Sequence, residues 1–229
     1  MVRLYLFVEG QTELTFADTL LKPHLAQYGV FMHSPRLIAH ARKKGRVHRG
    51  EFVNYIPMKN DILRSLQENK NSDVFFTTML DLFRMPPEFP GFDQSTSKQN
   101  QPFDRVEFLE ECFAEDIGDR RFIPYIQLHE YEACLFFDPT GFEYFYPKHD
   151  REIEALKTIA SQYETPEFIN DGQETSPSQR IIEQFPNYKK RLYGSDLAEL
   201  IGLPVIRQKC PHFDSWLSRL ESLNQTQAL

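Results

Sequence analysis

The hydrophobic pattern at the start of the chain predicts a buried strand that leads into a helix. Residues 4–8 are all apolar, and Glu9 follows them directly. A short apolar run without alternation is typical of a strand covered on both faces, as in a parallel sheet between helices. The apolar positions that come next have helical spacing and are Leu14, Ala17, Leu21 and Leu25. The pattern therefore delivers Glu9 to a strand end, where open α/β folds bind their ligands.

Two later segments have the same character. Residues 74–80 are rich in β-branched and aromatic residues and end at Asp81, while residues 122–127 are followed closely by Glu130. Amphipathic helices are predicted between the strands, over residues 58–66 and 103–117. This alternation predicts an α/β fold with a mostly parallel central sheet flanked by helices.

The strand–helix alternation fades at Asp138. We therefore expect one domain over residues 1–138 and a helical C-terminal extension over residues 139–229, packed on that domain or continuous with it. The helices predicted beyond the last strand cover residues 128–137, 153–162, 178–185, 198–201 and 212–223. The proline-rich stretch 84–102 follows a candidate site residue, which favours a lid or binding loop over a linker.

Composition narrows the class of protein. A hydrophobic content of 41% supports a core, and a net charge of −7 argues against coating nucleic acid through bulk charge. The 3 cysteines have no C-x-x-C spacing, so a disulfide framework or thiolate zinc site is not indicated and a reducing compartment is favoured. No apolar run approaches the roughly 18–20 residues that span a bilayer. We expect a soluble, cytoplasmic protein without membrane association.

Acidic residues at strand ends are the candidate chemistry. Glu9, Asp81 and Glu130 each lie at or just beyond a predicted strand, and the ends of parallel strands meet along one edge. Converging carboxylates repel one another unless a cation neutralises them, and oxygen-only ligands suit Mg²⁺ or Mn²⁺. A single acid after a strand has a simpler explanation, because the chain commonly returns to solvent there and polar residues are favoured. All three together favour a metal site.

A basic segment offers the best contact for a nucleic-acid backbone. Residues 36–49 contain no acid, and their basic side chains include Arg42, Lys43, Lys44, Arg46 and Arg49. In an otherwise acidic chain, such a local patch could bind phosphates. The alternative is an ordinary solvated loop.

The order of these segments resembles a known fold. Residues 8–13, followed by Asp81 at the end of a later strand, resemble the Toprim fold of topoisomerases, bacterial primases and OLD-type nucleases. Most of the chain is similar to a standalone bacterial Toprim-like family known as domain of unknown function 4276. The motifs on which this similarity rests are residues 77–81, 86–91, 122–132, 170–180 and 207–213. The resemblance implies a Toprim-like domain over residues 1–138 and metal-dependent phosphodiester chemistry.

The resemblance also implies roles for individual acids. Glu9 matches the Toprim glutamate, a metal ligand or general acid/base, and Asp81 matches the first acid of an Asp-x-Asp pair. Phe83 stands where the second acid is expected. Glu13, one helical turn after Glu9, is either an outer metal ligand or a charge at a helix start.

Glu130 and Glu132 are the candidates for the missing ligand. If their segment is helical, positions two apart point to different faces and only one joins the site. If it is extended, the two share a face. The zinc-protease pattern H-E-x-x-H fails at His129-Glu130, because Ala133 replaces the second histidine.

Arg180 and Arg207 lie in two of these family motifs. We expect each of them either to stabilise phosphate or to pair with an acid. The sequence contains no glycine-rich nucleotide-binding loop. OLD-type enzymes join a Toprim domain to an ATPase, so the resemblance implies a separate ATPase subunit as partner.

The expected function is a Mg²⁺- or Mn²⁺-dependent nuclease acting on nucleic acid, DNA in preference to RNA. By the same resemblance it would be the effector of an ATPase-linked bacterial defence or DNA-processing system. The alternative, prompted by Phe83, is a catalytically silent Toprim-like module that binds nucleic acid or regulates a partner.

Overall fold

The protein divides into two compact units in a computed structural model. The first unit is Met1–Ile126 together with Trp216–Leu229, and the second is Gln127–Ser215. The domain boundary expected after residue 138 therefore lies within the second unit. The structure describes residues 1–43, 46–49, 54–83, 85–128, 130–169 and 175–226. The backbone alone is described for residues 39–43, 46–49, 190–192 and 226.

The main sheet is six-stranded and parallel in each pairing that has a defined register. The strands of the described residues are β1 (Val2–Val8), β2 (Val30–Met32), β3 (Arg36–Leu37), β4 (Ala39–Lys43), β5 (Arg46–Arg49), β6 (Val74–Asp81), β7 (Phe122–Ile123) and β8 (Ile126–Gln127). Of these, β4 and β5 form a separate two-stranded sheet. The order across the main sheet is β2-β1-β6-β7, and β3 also lies beside β1. The predicted α/β class with a mostly parallel sheet is confirmed.

Helices connect and cover the strands. The α-helices are α1 (Gln11–Phe16), α2 (Lys22–Ala26), α3 (Tyr55–Glu68), α4 (Phe92–Ser95), α5 (Pro102–Ile117), α6 (Asp150–Ala160), α7 (Pro177–Gln184), α8 (Lys190–Ile201), α9 (Leu203–Lys209), α10 (Pro211–Glu221) and α11 (Leu223–Thr226). A π-helical segment, Ala17–Leu21, joins α1 to α2. In the part of the chain that the structure describes, no helix is long and apolar enough to cross a bilayer.

The pairing of β1 with β6 is the centre of the first unit. Their register runs from Arg3↔Val74 to Val8↔Met79, and nearly all residues of both strands are buried. The hydroxyl groups of Thr77 and Thr78, buried on β6, donate to the carbonyl oxygens of Ile123 and Tyr125. These bonds satisfy polar groups that would otherwise destabilise the core.

The proline-rich stretch after β6 contacts two helices within the first unit. Phe89 is buried and makes edge-to-face contacts with Tyr55 on α3 and Phe113 on α5, at centroid distances of 5.3 and 5.0 Å. Gly91 has φ +76°, and a Cβ there would lie 2.6 Å from Cys112 Sγ. Only glycine combines this backbone conformation with such a close approach.

The second unit is helical. Its 3₁₀ helices and α-helices include a buried aromatic contact, in which Phe142 stacks on Phe185 with ring centroids 5.1 Å apart. The Tyr131 hydroxyl donates to the Gly194 carbonyl oxygen at 3.3 Å. The segment predicted as an α-helix at 128–137 contains a 3₁₀ helix, Tyr131–Phe136, and the helix predicted at 198–201 is the end of the longer α8.

The C-terminal segment completes the first unit through Trp216. The indole ring stacks on Tyr125 with centroids 4.3 Å apart, and its Nε1 donates to Thr77 Oγ1 at 2.9 Å. His24 Nε2 lies 2.5 Å from Glu221 Oε1, which joins α2 to the end of α10. Trp216 and Glu221 therefore belong to the same compact unit as the first strand.

Substituting Trp216 should separate the hydrogen bond from the packing. We expect Trp216→Phe to lower the free energy of unfolding by about 1 kcal/mol, because Thr77 loses a buried donor. Trp216→Ala should lower it by about 3–5 kcal/mol, because a cavity forms beside Tyr125. Urea unfolding followed by circular dichroism measures both, with Tyr28→Phe at the surface as a control. Wild-type midpoints for both Trp216 variants would contradict the assignment.

Candidate functional site at the carboxyl edge of the sheet

The structure brings Glu9 and Asp81 together. Val8 pairs with Met79, so the residues that follow each strand emerge side by side at the carboxyl edge. Glu9 Oε2 accepts a hydrogen bond of 3.2 Å from the backbone N–H of Asp81. Both carboxylates are half-buried, as is Phe83 two residues further along. The proximity of Glu9 and Asp81 that the strand pattern indicated is therefore present in the fold.

Glu13 adds a buried carboxylate next to Glu9 along the chain. It lies in the first turn of α1 and its residue is 3% exposed. Its Oε2 has no hydrogen-bond partner among the described residues, and it lies 2.6 Å from where a Cβ on Gly10 would be. A buried carboxylate oxygen without a donor is destabilising, and a nearby cation would offset that cost. Glu13 does lie in the first turn of a helix, and its role as an outer metal ligand stays a prediction.

The donor chemistry at this edge fits a hard divalent cation. Glu9 and Asp81 offer oxygen atoms alone, which suit Mg²⁺ or Mn²⁺ better than zinc. Among the described residues, no group of three or more His, Cys, Asp or Glu side chains has the geometry of a metal site. Mg²⁺ commonly uses one or two carboxylates, with water and substrate phosphate as its other ligands. Two acids, Glu9 and Asp81, are compatible with that mode of binding.

The basic segment forms a β-hairpin where the sequence indicated a loop. β4 and β5 are antiparallel, with Arg42 opposite Val47 and Lys43 opposite Arg46, and a bulge lies between Ala39 and Ala41. Lys44 is outside the described residues. The strand pairing gathers the positions Arg42, Lys43, Arg46 and Arg49 on a short two-stranded ribbon. Their contact with nucleic acid stays a prediction.

Glu130 and Glu132 belong to the second unit. Glu130 has an extended backbone, and its Oε2 accepts a 2.9 Å hydrogen bond from the backbone N–H of Ser178 in the first turn of α7. A carboxylate in this place satisfies a free N–H and stabilises the helix dipole. Glu132 is fully buried within the 3₁₀ helix Tyr131–Phe136. The role of either residue as a metal ligand stays a prediction.

Arg180 and Arg207, from two of the family motifs, make contacts within the second unit. Arg180 Nε donates to the Thr175 carbonyl oxygen at 2.8 Å, and its Nη2 donates to the Tyr163 hydroxyl at 3.0 Å. Arg207 pairs with Asp214 at 2.5 Å. Pairing with an acid was one of the two alternatives for both arginines, and Arg207 makes such a pair. Phosphate stabilisation by either arginine stays a prediction.

Glu167 is a buried acid that sequence reasoning missed. It is fully buried, and its carboxylate accepts backbone hydrogen bonds from His212 at 3.3 Å and Phe213 at 3.2 Å, at the start of α10. Burial raises the pKa of Glu167, although the neighbouring His212 and the two N–H donors act in the opposite direction. One glutamate in a polar turn region carries no sequence signal, because its partners are distant along the chain.

The raised pKa of Glu167 predicts how stability depends on pH. Its native pKa exceeds that of the unfolded chain, near 4.5, so the native state binds the proton more tightly. The stabilising contribution is complete below the unfolded pKa and is lost as pH rises through the native pKa. Glu167→Gln should remove this loss while the backbone N–H groups keep an acceptor. Urea unfolding from pH 4 to 8 measures it, with exposed Glu199→Gln as control. Parallel pH profiles for wild type and Glu167→Gln would contradict it.

Comparison with known proteins identifies the family. Among solved structures, the chain is similar to the C-terminal region of the Burkholderia pseudomallei OLD protein, with 14% identity, a TM-score of 0.45, and coverage of 97% of this chain and 99% of that chain. Comparison with curated proteins gave no match. The model of the family described as Domain of unknown function (DUF4276) matches residues 8–221. As the resemblance in the sequence predicted, the chain belongs to the DUF4276 family.

Proposed function

We propose that this protein is a Mg²⁺- or Mn²⁺-dependent nuclease whose metal is held by Glu9 and Asp81. The observation that carries the proposal is the hydrogen bond between Glu9 Oε2 and the Asp81 backbone N–H, at 3.2 Å. It fixes two acids from separate strands at the sheet edge where α/β folds bind ligands. The buried Glu13 oxygen without a partner among the described residues supports it independently. Glu130 and Glu132 are retained as further candidate ligands on the sequence evidence alone.

The chemistry follows from the character of these residues. A Mg²⁺ ion bound here would stabilise the negative charge that develops on the scissile phosphate and would lower the pKa of a bound water. The backbone N–H of Asp81 orients the Glu9 carboxylate by bonding to one of its oxygens. The Glu9 carboxylate would act either as a metal ligand or as the proton acceptor from the attacking water. Half-burial of both acids strengthens these electrostatic interactions relative to bulk water.

The substrate we propose is nucleic acid, DNA in preference to RNA. The basic hairpin β4–β5 supports it, because Lys and Arg contacts to phosphates supply sequence-independent affinity. An ATPase-linked role, in defence or DNA processing, is proposed from the resemblance to OLD-type nucleases. In this proposal the ATPase is a separate subunit. Cleavage assays with and without the product of the neighbouring gene test that partnership.

Neutralising either acid should abolish cleavage. We expect Glu9→Gln and Asp81→Asn to reduce Mn²⁺-dependent cleavage of labelled DNA by more than about 100-fold, since even outer partners of a metal are worth about 10- to 100-fold. Glu68→Gln is the matched control, because Glu68 is exposed at the end of α3 that precedes β6 and so lies at the opposite edge of the sheet. Circular dichroism should show intact folding in all variants. Full activity in Glu9→Gln would rule out the assignment.

A second candidate function is a module that binds nucleic acid or a partner without cleaving it. Phe83 favours this alternative, because it replaces the second acid of the Asp-x-Asp pair. Calorimetric titration with Mn²⁺ separates the two functions. The nuclease proposal predicts binding by the wild type, loss of binding in Glu9→Gln, and a weakening of about 10- to 100-fold in Glu13→Gln if Glu13 is an outer ligand. Absence of any Mn²⁺ binding by the wild type, with or without DNA, would favour the silent module.

A further inference from the structure

Arg105 is a half-buried cation of the first unit that has no counter-ion among the described residues. It lies in the first turn of α5 and is half-buried. Among the described residues its guanidinium donates one hydrogen bond, from Nε to Ser95 Oγ at 3.3 Å, and forms no ion pair. Burial lowers the pKa of Arg105, and no charged neighbour contributes to that shift. The side chain is thus partly removed from water without a counter-ion.

This placement is unfavourable for stability in two ways. Removing a guanidinium from water without an anionic partner is destabilising, and a cation near a helix N-terminus opposes the helix dipole. Other arginines of the same unit are paired: Arg3 with Asp73 at 3.1 Å and Arg121 with Asp119 at 2.7 Å. An anion from outside the chain would correct both unfavourable terms at Arg105.

The topology places Arg105 at the same edge of the sheet as the candidate metal site. β6 and β7 are parallel neighbours, and α5 lies between them in sequence. A helix that connects two parallel strands must return the chain from the carboxyl edge to the amino edge. The first turn of α5 is therefore on the carboxyl-edge side, where Glu9 and Asp81 lie.

We propose that Arg105 binds a backbone phosphate of the nucleic-acid substrate. With Nε on Ser95, the two terminal nitrogens can donate to a phosphate in the bidentate geometry that guanidinium groups favour. Ser95 is fully buried and its hydroxyl donates to the Phe92 carbonyl oxygen at 2.7 Å, so it holds the guanidinium from a fixed position. The contact recognises a phosphodiester and not a base, and it rests on the proposed nuclease function.

Binding of a fluorescent DNA oligonucleotide, measured by anisotropy in EDTA over a series of salt concentrations, tests this role. We expect Arg105→Gln to weaken binding roughly 10-fold. The slope of log affinity against log salt should fall in magnitude by about 0.7–0.9, the value for one phosphate contact. Arg105→Lys should keep the slope and lose part of the affinity, because an ammonium group cannot bind phosphate through a planar fork. Arg64→Gln is the charge-matched control, since Arg64 is exposed on α3.

Each outcome decides the matter. An unchanged affinity and salt slope in Arg105→Gln, with a wild type that binds and cleaves, would overturn the role of Arg105 and leave the nuclease proposal standing. A wild type that neither binds nor cleaves DNA would contradict the nuclease proposal itself. Thermal unfolding distinguishes a purely structural role. We expect an equal or higher Tm for Arg105→Gln, because a poorly solvated charge is removed, and a variant that misfolds or melts several degrees lower would overturn the assignment.

Discussion

The parallel pairing of β1 with β6 is the constraint on which the candidate site depends. A shift of one residue in this register would exchange the side chains on the two faces of the strand, so that their sizes would no longer fit the close-packed layers on either side. Burial on both faces therefore holds the register from Arg3↔Val74 to Val8↔Met79. The same register sets Glu9 next to Asp81. The position of the acids is thus determined by hydrophobic packing and not by any attraction between them, since two carboxylates alone repel.

Where regular strand pairing stops in the first unit, side-chain hydroxyl groups form hydrogen bonds with the backbone N–H and carbonyl groups. Pro124 interrupts the segment after β7 because it has no N–H to donate. Beyond it, Tyr125 N donates to Thr78 Oγ1 at 3.0 Å, and the same hydroxyl donates to the Tyr125 carbonyl oxygen at 3.1 Å. Trp216, from the far end of the chain, stacks on Tyr125 and bonds Thr77. Sheet and C-terminal segment are therefore joined by contacts of high sequence separation, whose formation closes long loops at an entropic cost.

Sequence patterns predicted the elements whose signal is local. The apolar runs at β1 and β6 and the amphipathic helix α5 were located to within a few residues, because burial on a sheet or helix face leaves a periodic pattern. The predicted strand over residues 122–127 divides at Pro124 into β7 and β8. The hairpin β4–β5 could not be predicted, since its strands are polar and lack the alternation of a half-buried sheet.

The same distinction applies to the acids. The nearness of Glu9 to Asp81 followed from strand ends alone, because parallel topology converts two local patterns into one juxtaposition. The capping contact of Glu130 with Ser178 and the burial of Glu167 against α10 depend on segments 45 or more residues apart and leave no trace in either local sequence. Carboxylates that cap helices and carboxylates that bind metal look alike in a sequence. They differ in where the backbone N–H comes from: Glu130 and Glu167 accept from the first turn of a helix, whereas Glu9 accepts from the end of a neighbouring strand.

The replacement of the second acid by Phe83 has a consequence for how the proposed nuclease would work. With fewer protein carboxylates available, an ion held by Glu9 and Asp81 would need more of its ligands from water and from the phosphate of the substrate. Metal affinity and substrate affinity are then coupled, and each must increase the other by the same factor. Groups that hold the phosphate without touching the metal, such as Arg105, would in this way strengthen metal binding. A site poor in acids can thus be compensated by cations that position the substrate, and the first unit has its half-buried guanidinium on the side of the sheet where that compensation is needed.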